Sequence, residues 1–423
     1  MALYEPSLSP LFQRFFQPVI EAYPHSSKPY DCQELTDLDF IEMGIKRCVS
    51  ASVTGRDFLQ HHGDNGRKEV SVDLHFKGLQ SERRLANLAS INAHITPLLN
   101  QRVEDAFASV AELNGFAIYA GDGHYHAGAA HDAKRESSSG VMKKLAVGHF
   151  FMLNLRNHSM SYLAMADQSG TRKGEHDMHV IKRTEIKDLR MGEPKGRKVI
   201  LAWDKAGIDF VFWQKAKKTA GLYFISLEKS NMKLIRCGHR PFDRADPRNA
   251  GVIADEQVGP GGGSGEMFRR ITYIDPVTGT RYVYITTEMT LPPGILALIY
   301  KQRWDIEKVF DEFKSKLEEK KSWASSETAK TMQAQFLCLV HNLMVLLEEE
   351  LLTVEGTDND KERKRKAKRT TAALEKGANY VATMVQRFTV RSLKYIRWLR
   401  NFFYREVPWS EAVARLRAVY LSF

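Results

Sequence analysis

The segment Leu291–Lys321, LPPGILALIYKQRWDIEKVFDEFKSKLEEKK, opens with a Pro-Pro-Gly turn and continues with the periodicity of an α-helix. On an ideal helix that turns by about 100° per residue, four polar residues fall within an arc of about 60°: Tyr300, Arg303, Glu307 and Lys314. Arg and Lys bind phosphate oxygens, whereas a carboxylate beside them needs a divalent cation before it can approach a phosphate. This face of the helix therefore indicates metal-dependent phosphoryl transfer on a polyanion.

The same segment carries a separate apolar stripe that is expected to face a protein core. Its members are Ile299, Ile306, Val309, Phe313 and Leu317, with Phe310 at the boundary between the two faces. The alternative interpretation of the polar face is a solvated surface whose Glu–Lys and Glu–Arg pairs at i,i+4 only support the helix. The spacing of the four polar residues decides against that alternative.

The spacing Tyr-x2-Arg-x3-Glu-x6-Lys resembles the signature of the YREK group of bacterial insertion-sequence DDE transposases, in the insertion-sequence-four-like family. The resemblance extends over roughly Gly115 to Leu352 and is strongest from Arg269 to Lys321. It implies an α/β fold, in which a ribonuclease-H-like mixed sheet is flanked by helices. It also implies a β-rich insertion before the catalytic helix, with helical N- and C-terminal regions outside the core.

Two aspartates stand where such a fold needs them, each after a strand. The run GFAIYAGDGHYH is a short β-type segment whose strand is predicted to end in Asp122. The apolar run Val199–Trp203 is typical of a strand covered on both faces, and it ends in Asp204. Carried over by position, the resemblance gives Asp122, Asp204 and Glu307 catalytic and metal-binding roles.

The implied cofactor is a pair of Mg²⁺ ions per active site, with Mn²⁺ as an alternative, because these cations prefer oxygen ligands. One ion would activate the attacking water or 3′-hydroxyl, and the other would stabilise the leaving oxygen. The implied partners are double-stranded DNA, both transposon inverted-repeat ends and target, and a second copy of the chain in the DNA complex. Tyr300, Arg303 and Lys314 would contact phosphates at the transposon end.

The expected function is cleavage of phosphodiester bonds at transposon ends and joining of the 3′-hydroxyl to target DNA, by a cut-and-paste or related route. Two alternatives stay open: a ribonuclease-H-like nuclease without strand transfer, and a catalytically silent DNA-binding protein derived from a transposase. The best-known hairpin-forming members use a Trp in the insertion to hold a flipped base. Between Trp213 and Trp304 this chain has no Trp, so the hairpin step also stays open.

Composition and periodicity divide the chain into five predicted regions. These are residues 1–105, a helical N-terminal region with an implied role in DNA-end recognition; 106–233, the first part of the ribonuclease-H-like core; 234–290, the β-rich insertion; 291–352, the catalytic helix and a buried helix after it; and 353–423, a basic helical C-terminal region.

The charge balance also indicates a polyanionic partner. The 423 residues carry a net charge of +11, with a pI near 9.3. Residues 351–423 hold 16 Lys and Arg against 7 Asp and Glu, and the cluster Lys361–Arg369 is the most basic part. Its charge density favours contact with a DNA backbone over a merely solvated helix face.

The remaining features bound the cellular setting. The four cysteines are widely scattered and lack metal or redox spacing, which indicates free thiols in a reducing compartment. The N-terminus lacks a signal-peptide pattern, and no apolar run reaches the ~18 residues of a membrane span. We therefore expect a cytoplasmic protein with no membrane partner. The resemblance implies in addition a bacterial protein that is nucleoid-associated when bound to DNA.

Several histidines raise the question of zinc. They stand shortly after Asp122 or form a spaced pair: His124, His126, His131, His176 and His179. The sequence offers no matching cysteine or third ligand at metal-binding spacing, so a structural zinc is not expected. His124 is the one histidine that we expect to approach the active site.

Overall fold

The structure is a computed structural model in which helices cover both faces of one large sheet. It describes all residues except 1–3, 5, 26–33, 53, 137–139, 168–174, 262–265, 318, 378–382, 384, 386–387 and 422–423. The helices are α1 (Pro10–Ala22), α2 (Asp37–Val49), α3 (Gly55–Asp64), α4 (Val72–Leu79), α5 (Glu82–Arg102), α6 (Asp177–Arg183), α7 (Ile186–Leu189), α8 (Phe210–Ala220), α9 (Pro293–Gln302), α10 (Asp305–Lys316), α11 (Glu327–Thr353), α12 (Asp360–Glu375), α13 (Leu393–Phe402) and α14 (Trp409–Leu421). The strands are β1 (Phe116–His126), β2 (Lys134–Glu136), β3 (Met142–Lys144), β4 (Val147–Asn154), β5 (Met160–Met165), β6 (Lys198–Ala202), β7 (Leu222–Leu227), β8 (Leu234–His239), β9 (Val252–Pro260), β10 (Phe268–Ile274) and β11 (Arg281–Thr286).

Nine strands form one mixed sheet in the order β5-β4-β1-β6-β7-β11-β10-β9-β8, and β2 and β3 pair separately. β1, β6 and β7 run parallel to one another. β4 and β5 are antiparallel on one side of this group, and β11 is antiparallel to β7 on the other. The mixed sheet with flanking helices confirms the predicted α/β fold class.

The strands of the predicted β-rich insertion extend the core sheet. β11 joins β7 through pairs such as Tyr284 with Leu227, and β10, β9 and β8 follow outward in antiparallel order. The predicted hairpin is β10–β11, and its turn closes where the Gly279 amide donates to the Asp275 carbonyl at 2.8 Å. Because these strands share one sheet with the core, the division of the chain into domains stays a prediction.

Side chains of β1 alternate between two apolar layers because successive residues of a strand point to opposite faces. Ala117 and Tyr119 belong to a core with residues of α6, α7 and α8. Ile118 and Ala120 belong to the larger core with residues of α9, α10 and α11. By the same alternation, Asp122 lies on the face that α10 covers.

β1 is longer than the sequence indicated. The prediction that this strand ends in Asp122 was wrong, because β4 pairs with it as far as His126 opposite Val147. Its parallel partner β6 stops earlier, with Ala202 opposite Ala120. Asp122 therefore lies inside the strand, just beyond the carboxyl end of the parallel pairing.

The segment predicted as one helix is two helices, α9 and α10. At the junction the amides of Arg303 and Ile306 donate to carbonyls three residues back, at 3.1 and 3.2 Å, which is a tight 3₁₀-type turn. Arg303 and Trp304 keep right-handed helical backbone angles, so the apolar stripe stays on one side. The stripe is buried as predicted: Ile299, Ile306, Val309, Phe313 and Leu317 are each at most 1% exposed.

α11 is the long buried helix that the sequence predicted after the catalytic segment. Most of its residues from Ala329 to Leu347 are buried, and it packs against α2, α5 and β5. Ser326 caps its N-terminus by accepting a hydrogen bond from the amide of Ala329. Within the described chain, α11 and the other helices all fall short of the combined length and apolar character of a membrane span.

A buried ion pair ties the C-terminal region to α10. Arg391 Nη1 donates to Glu312 Oε1 at 2.7 Å, and His341 of α11 lies beside the same carboxylate. Burial alone would raise the pKa of Glu312, but the Arg391 guanidinium and His341 outweigh it and hold that pKa at about 2. The pair therefore stabilises the folded chain only while the carboxylate is ionised.

Arg391→Met should lower the free energy of unfolding by about 3–5 kcal/mol, because it leaves a buried carboxylate without its cation. The wild-type contribution should be complete above about pH 4.5 and fall as the pH drops toward 2. Urea unfolding at neutral and acidic pH measures both effects. Arg415→Met is the matched control, since Arg415 pairs with Glu411 in solvent and its loss should cost less than about 0.5 kcal/mol. Equal destabilisation by the two variants would contradict this account.

Candidate active site

One guanidinium joins two of the three predicted acidic residues. Arg303 Nη1 donates to Asp122 Oδ2 at 3.0 Å, and Nη2 donates to Glu307 Oε1 at 2.7 Å. Arg303 is 6% exposed, so these charge-assisted hydrogen bonds are largely shielded from water. The α9–α10 junction therefore holds the carboxylates of β1 and α10 in one place.

Asp204 lies at the carboxyl end of the neighbouring strand β6. Its Oδ1 accepts a hydrogen bond from the Ala206 amide at 2.7 Å, which starts a 3₁₀ turn. Burial raises the pKa of Asp122 to about 6; Arg303 opposes this shift, and the charges of Asp204 and Asp177 add to it. The structure thus brings Asp122, Asp204 and Glu307 to the same edge of the sheet.

Asp177, the first residue of α6, is a fourth acidic residue that the sequence did not reveal. Its Oδ2 accepts a hydrogen bond from Trp203 Nε1 at 3.0 Å. Burial raises the pKa of Asp177, and the charge of Asp204 adds to that shift. No spacing in the sequence marks it, so only the folded chain shows that it belongs here.

The three predicted DNA-contact residues have different surroundings. Tyr300 is 8% exposed, and its ring packs 5.2 Å from that of Tyr284. Arg303 is engaged with the two carboxylates, whereas Lys314 is exposed further along α10. Beside Arg303, Trp304 is 59% exposed although it is a large aromatic residue, a surface feature that sequence reasoning did not single out.

The donor set suits a hard divalent cation, but Arg303 lies where such a cation would bind. Asp122, Asp204 and Glu307 offer carboxylate oxygens, the ligands that Mg²⁺ prefers. With the guanidinium between Asp122 and Glu307, these oxygens are not gathered around one point. A cation at this site would therefore have to displace Arg303 from at least one carboxylate.

Carboxylates from two neighbouring parallel strands and one helix, with cationic side chains beside them, make a site suited to metal-dependent phosphoryl transfer. Residues 140–343, slightly less than half of the chain, match the family model described as "Transposase DDE domain". The matched segment includes Asp204 and Glu307 and begins after Asp122.

Among solved structures, the chain is similar to one described as the cryo-EM structure of a piggyBac transposase synaptic complex with hairpin DNA. The sequence identity is 12% and the TM-score is 0.41, and the alignment covers 98% of this chain and 85% of that one. No curated protein matches the chain.

Asp122→Asn should stabilise the metal-free protein at neutral and alkaline pH. Because folding raises the pKa of Asp122 from 3.8 to about 6, wild-type stability should fall as the pH rises between these values. Asn resembles the protonated side chain at every pH. The variant should therefore be roughly 1–3 kcal/mol more stable above about pH 7 and equal to wild type near pH 4.

Chemical unfolding with a chelator present measures this difference. Asp311→Asn, an exposed change on α10, should show no such pH-dependent gain. A variant Asp122→Asn that is less stable than wild type above pH 7 would contradict the assignment of a largely buried carboxylate with a raised pKa.

Proposed function

We propose that this chain is a DDE transposase of the YREK group. In this proposal it cleaves phosphodiester bonds at transposon ends and joins the 3′-hydroxyl to target DNA by a cut-and-paste route. The observation that carries the proposal is the single guanidinium of Arg303 shared by Asp122 and Glu307, with Asp204 beside them. The family match over residues 140–343 supports it independently, since that match rests on sequence alone.

Asp122, Asp204 and Glu307 would hold two divalent cations, Mg²⁺ or Mn²⁺. Such ions, when bound, supply Lewis-acid stabilisation of the negative charge that develops on phosphoryl transfer and lower the pKa of the attacking hydroxyl. The protein's own part is to present the three carboxylates from rigid elements. Asp122 lies within β1, just beyond the carboxyl end of its parallel pairing with β6. Asp204 follows β6, and Glu307 lies in the first turn of α10.

Arg303 would have two successive roles. Without metal it neutralises Asp122 and Glu307, so that the acids tolerate each other in a largely buried site. Once cations bind those carboxylates, the guanidinium becomes free to donate a forked pair of hydrogen bonds to a phosphate. The predicted DNA contact of Arg303 and its observed ion pairs are therefore compatible. Tyr300, which lies next to Arg303, would restrict the orientations that the guanidinium can adopt.

The DNA would extend from this site over basic residues of two helices. Lys314 lies on the exposed side of α10, and α12 contains the basic cluster Lys361–Arg369. Pairing two transposon ends requires at least two active sites, so we propose a homodimer in the DNA complex. With DNA as substrate, the protein would work in the cytoplasm at the nucleoid.

A cleavage and joining assay tests this function. The substrate is DNA carrying the inverted repeats that flank the gene, with Mg²⁺ and a target plasmid. Wild-type protein should give joined products, while Asp122→Asn, Asp204→Asn and Glu307→Gln should each lower the cleavage rate by at least about 10²-fold. Asp311→Asn, which removes an exposed carboxylate from the same helix as Glu307, should leave the rate unchanged.

The other outcomes point to the two alternatives. Wild-type protein that cuts the ends without joining them is a nuclease. Protein that binds the ends and never cuts them is a DNA-binding protein without catalysis. Either result overturns the proposal.

Lys314→Ala should weaken DNA-end binding about equally for all sequences, because a phosphate contact carries no base information. The slope of log K against log salt should become shallower by about 1, since one fewer counterion is released. Fluorescence anisotropy at several salt concentrations measures the slope. Lys187→Ala removes an exposed lysine from α7 and serves as the control. An unchanged slope for Lys314→Ala would remove this residue from the DNA surface.

A further inference from the structure

A second group of possible metal ligands lies directly beyond Asp122 on β1. His124 and His126 share its face of the strand, and Glu319, which follows α10, reaches both. His124 Nε2 and Glu319 Oε2 are in hydrogen-bond contact, and His126 Nδ1 lies 3.4 Å from Glu319 Oε1. All three side chains are at most 2% exposed. One ligand atom from each lies within 4.8 Å of the others.

The hydrogen bonds around His126 leave two acceptors facing each other. Ser322 Oγ lies 3.4 Å from the Ala127 carbonyl and 3.0 Å from His126 Nε2. We assign the hydroxyl proton to the carbonyl, so that Oγ accepts a hydrogen bond from His126 Nε2–H. That assignment puts the single proton of a neutral ring on Nε2 and leaves a lone pair on Nδ1. Nδ1 faces Glu319 Oε1, and both atoms are buried without a hydrogen-bond partner. Such an arrangement is unfavourable unless a cation lies between the two atoms.

We propose that His124, His126 and Glu319 bind a divalent first-row transition-metal cation, with Zn²⁺ as the leading candidate. Two imidazoles and one carboxylate form a recognised zinc ligand set that leaves a fourth position open. Neighbouring ligand atoms of a tetrahedral ion with bonds of ~2.0–2.1 Å lie roughly 3.3 Å apart, close to the observed separation of His126 Nδ1 from Glu319 Oε1. Imidazole nitrogens favour zinc, iron or copper over Mg²⁺.

The surroundings of the ligands fit a metal site. The hydrogen bond from His126 to Ser322 is of the kind that fixes the tautomer and orientation of a metal-binding histidine. His149 stacks on His126 with ring centroids 5.4 Å apart, and neither of its buried nitrogens has a hydrogen-bond partner. His149 is therefore the nearest additional donor for the open position. The sequence did not predict this site because Glu319 follows a helix nearly two hundred residues after the histidines.

The ion would brace the active site. It would tie β1, which carries Asp122, to the segment that follows α10, which carries Glu307. Phe310 of α10 stacks on His124 at 4.6 Å, so this part of the helix already packs on the strand. His124 is two residues from Asp122, roughly 7 Å along the strand. The metal site itself does not depend on the proposed function; only this bracing role does.

The test is metal binding by the full chain with excess Mg²⁺ present to occupy the carboxylate site. Protein stripped by a chelator is titrated with Co²⁺, followed by its visible absorption, and with Zn²⁺ in competition. Wild type should bind one transition-metal ion per chain. Glu319→Gln and His126→Ala should bind at least tenfold more weakly. His131→Ala, which changes an exposed histidine five residues beyond His126, should bind as wild type does.

X-ray absorption on the zinc-loaded wild type gives a result that needs no variant. Two imidazole ligands in the zinc shell support the site even if Glu319→Gln fails to fold. Wild type that takes up no transition metal, a zinc shell without imidazole, or a folded Glu319→Gln with unchanged affinity each overturns the proposal. Elemental analysis of protein as purified decides whether zinc, iron or copper is the ion held. A chain that binds zinc but never cuts DNA would keep this site and lose the proposed function.

Discussion

The candidate site depends on one interaction, the pair of hydrogen bonds that the Arg303 guanidinium donates to Asp122 and Glu307. Burial raises the pKa of Asp122 and of Asp177, and the charge of the nearby Asp204 adds to both shifts. Arg303 supplies a positive charge between Asp122 and Glu307, and its two ion pairs connect strand β1 with helix α10. In the metal-free site the Arg303 guanidinium therefore occupies the position that a bound metal cation would take.

Periodicity predicted much of the framework. The apolar run at Val199–Trp203, the hairpin of β10 and β11, and the buried helix α11 all form where the pattern indicated, because burial on one or both faces leaves a clear sequence signal. The predictions failed where long-range contacts decide. β1 continues past Asp122 because β4 pairs with it, and the helix at 291–321 breaks at Arg303, next to the ion pairs with β1 and α10.

The site was only partly readable for the same reason. A helical spacing identified Glu307 and its neighbours, and the predicted ends of two strands identified Asp122 and Asp204. Asp177 and Glu319 come from the start of a short helix and from the turn after α10, where no periodic pattern exists. The common helix face inferred for Tyr300, Arg303 and Lys314 also hides a difference. Tyr300 and Arg303 are buried, and of the three only Lys314 is exposed. A helical projection cannot show this difference, because it does not include the parts of the chain that pack on the helix.

The most direct test of the central claim is anomalous diffraction from crystals of the full chain grown with Mn²⁺. Manganese should lie in contact with carboxylate oxygens of Asp122 and Asp204, with the Arg303 guanidinium withdrawn from Asp122. A structure in which Arg303 still bridges Asp122 and Glu307, and no manganese lies at these acids, would contradict a metal site there.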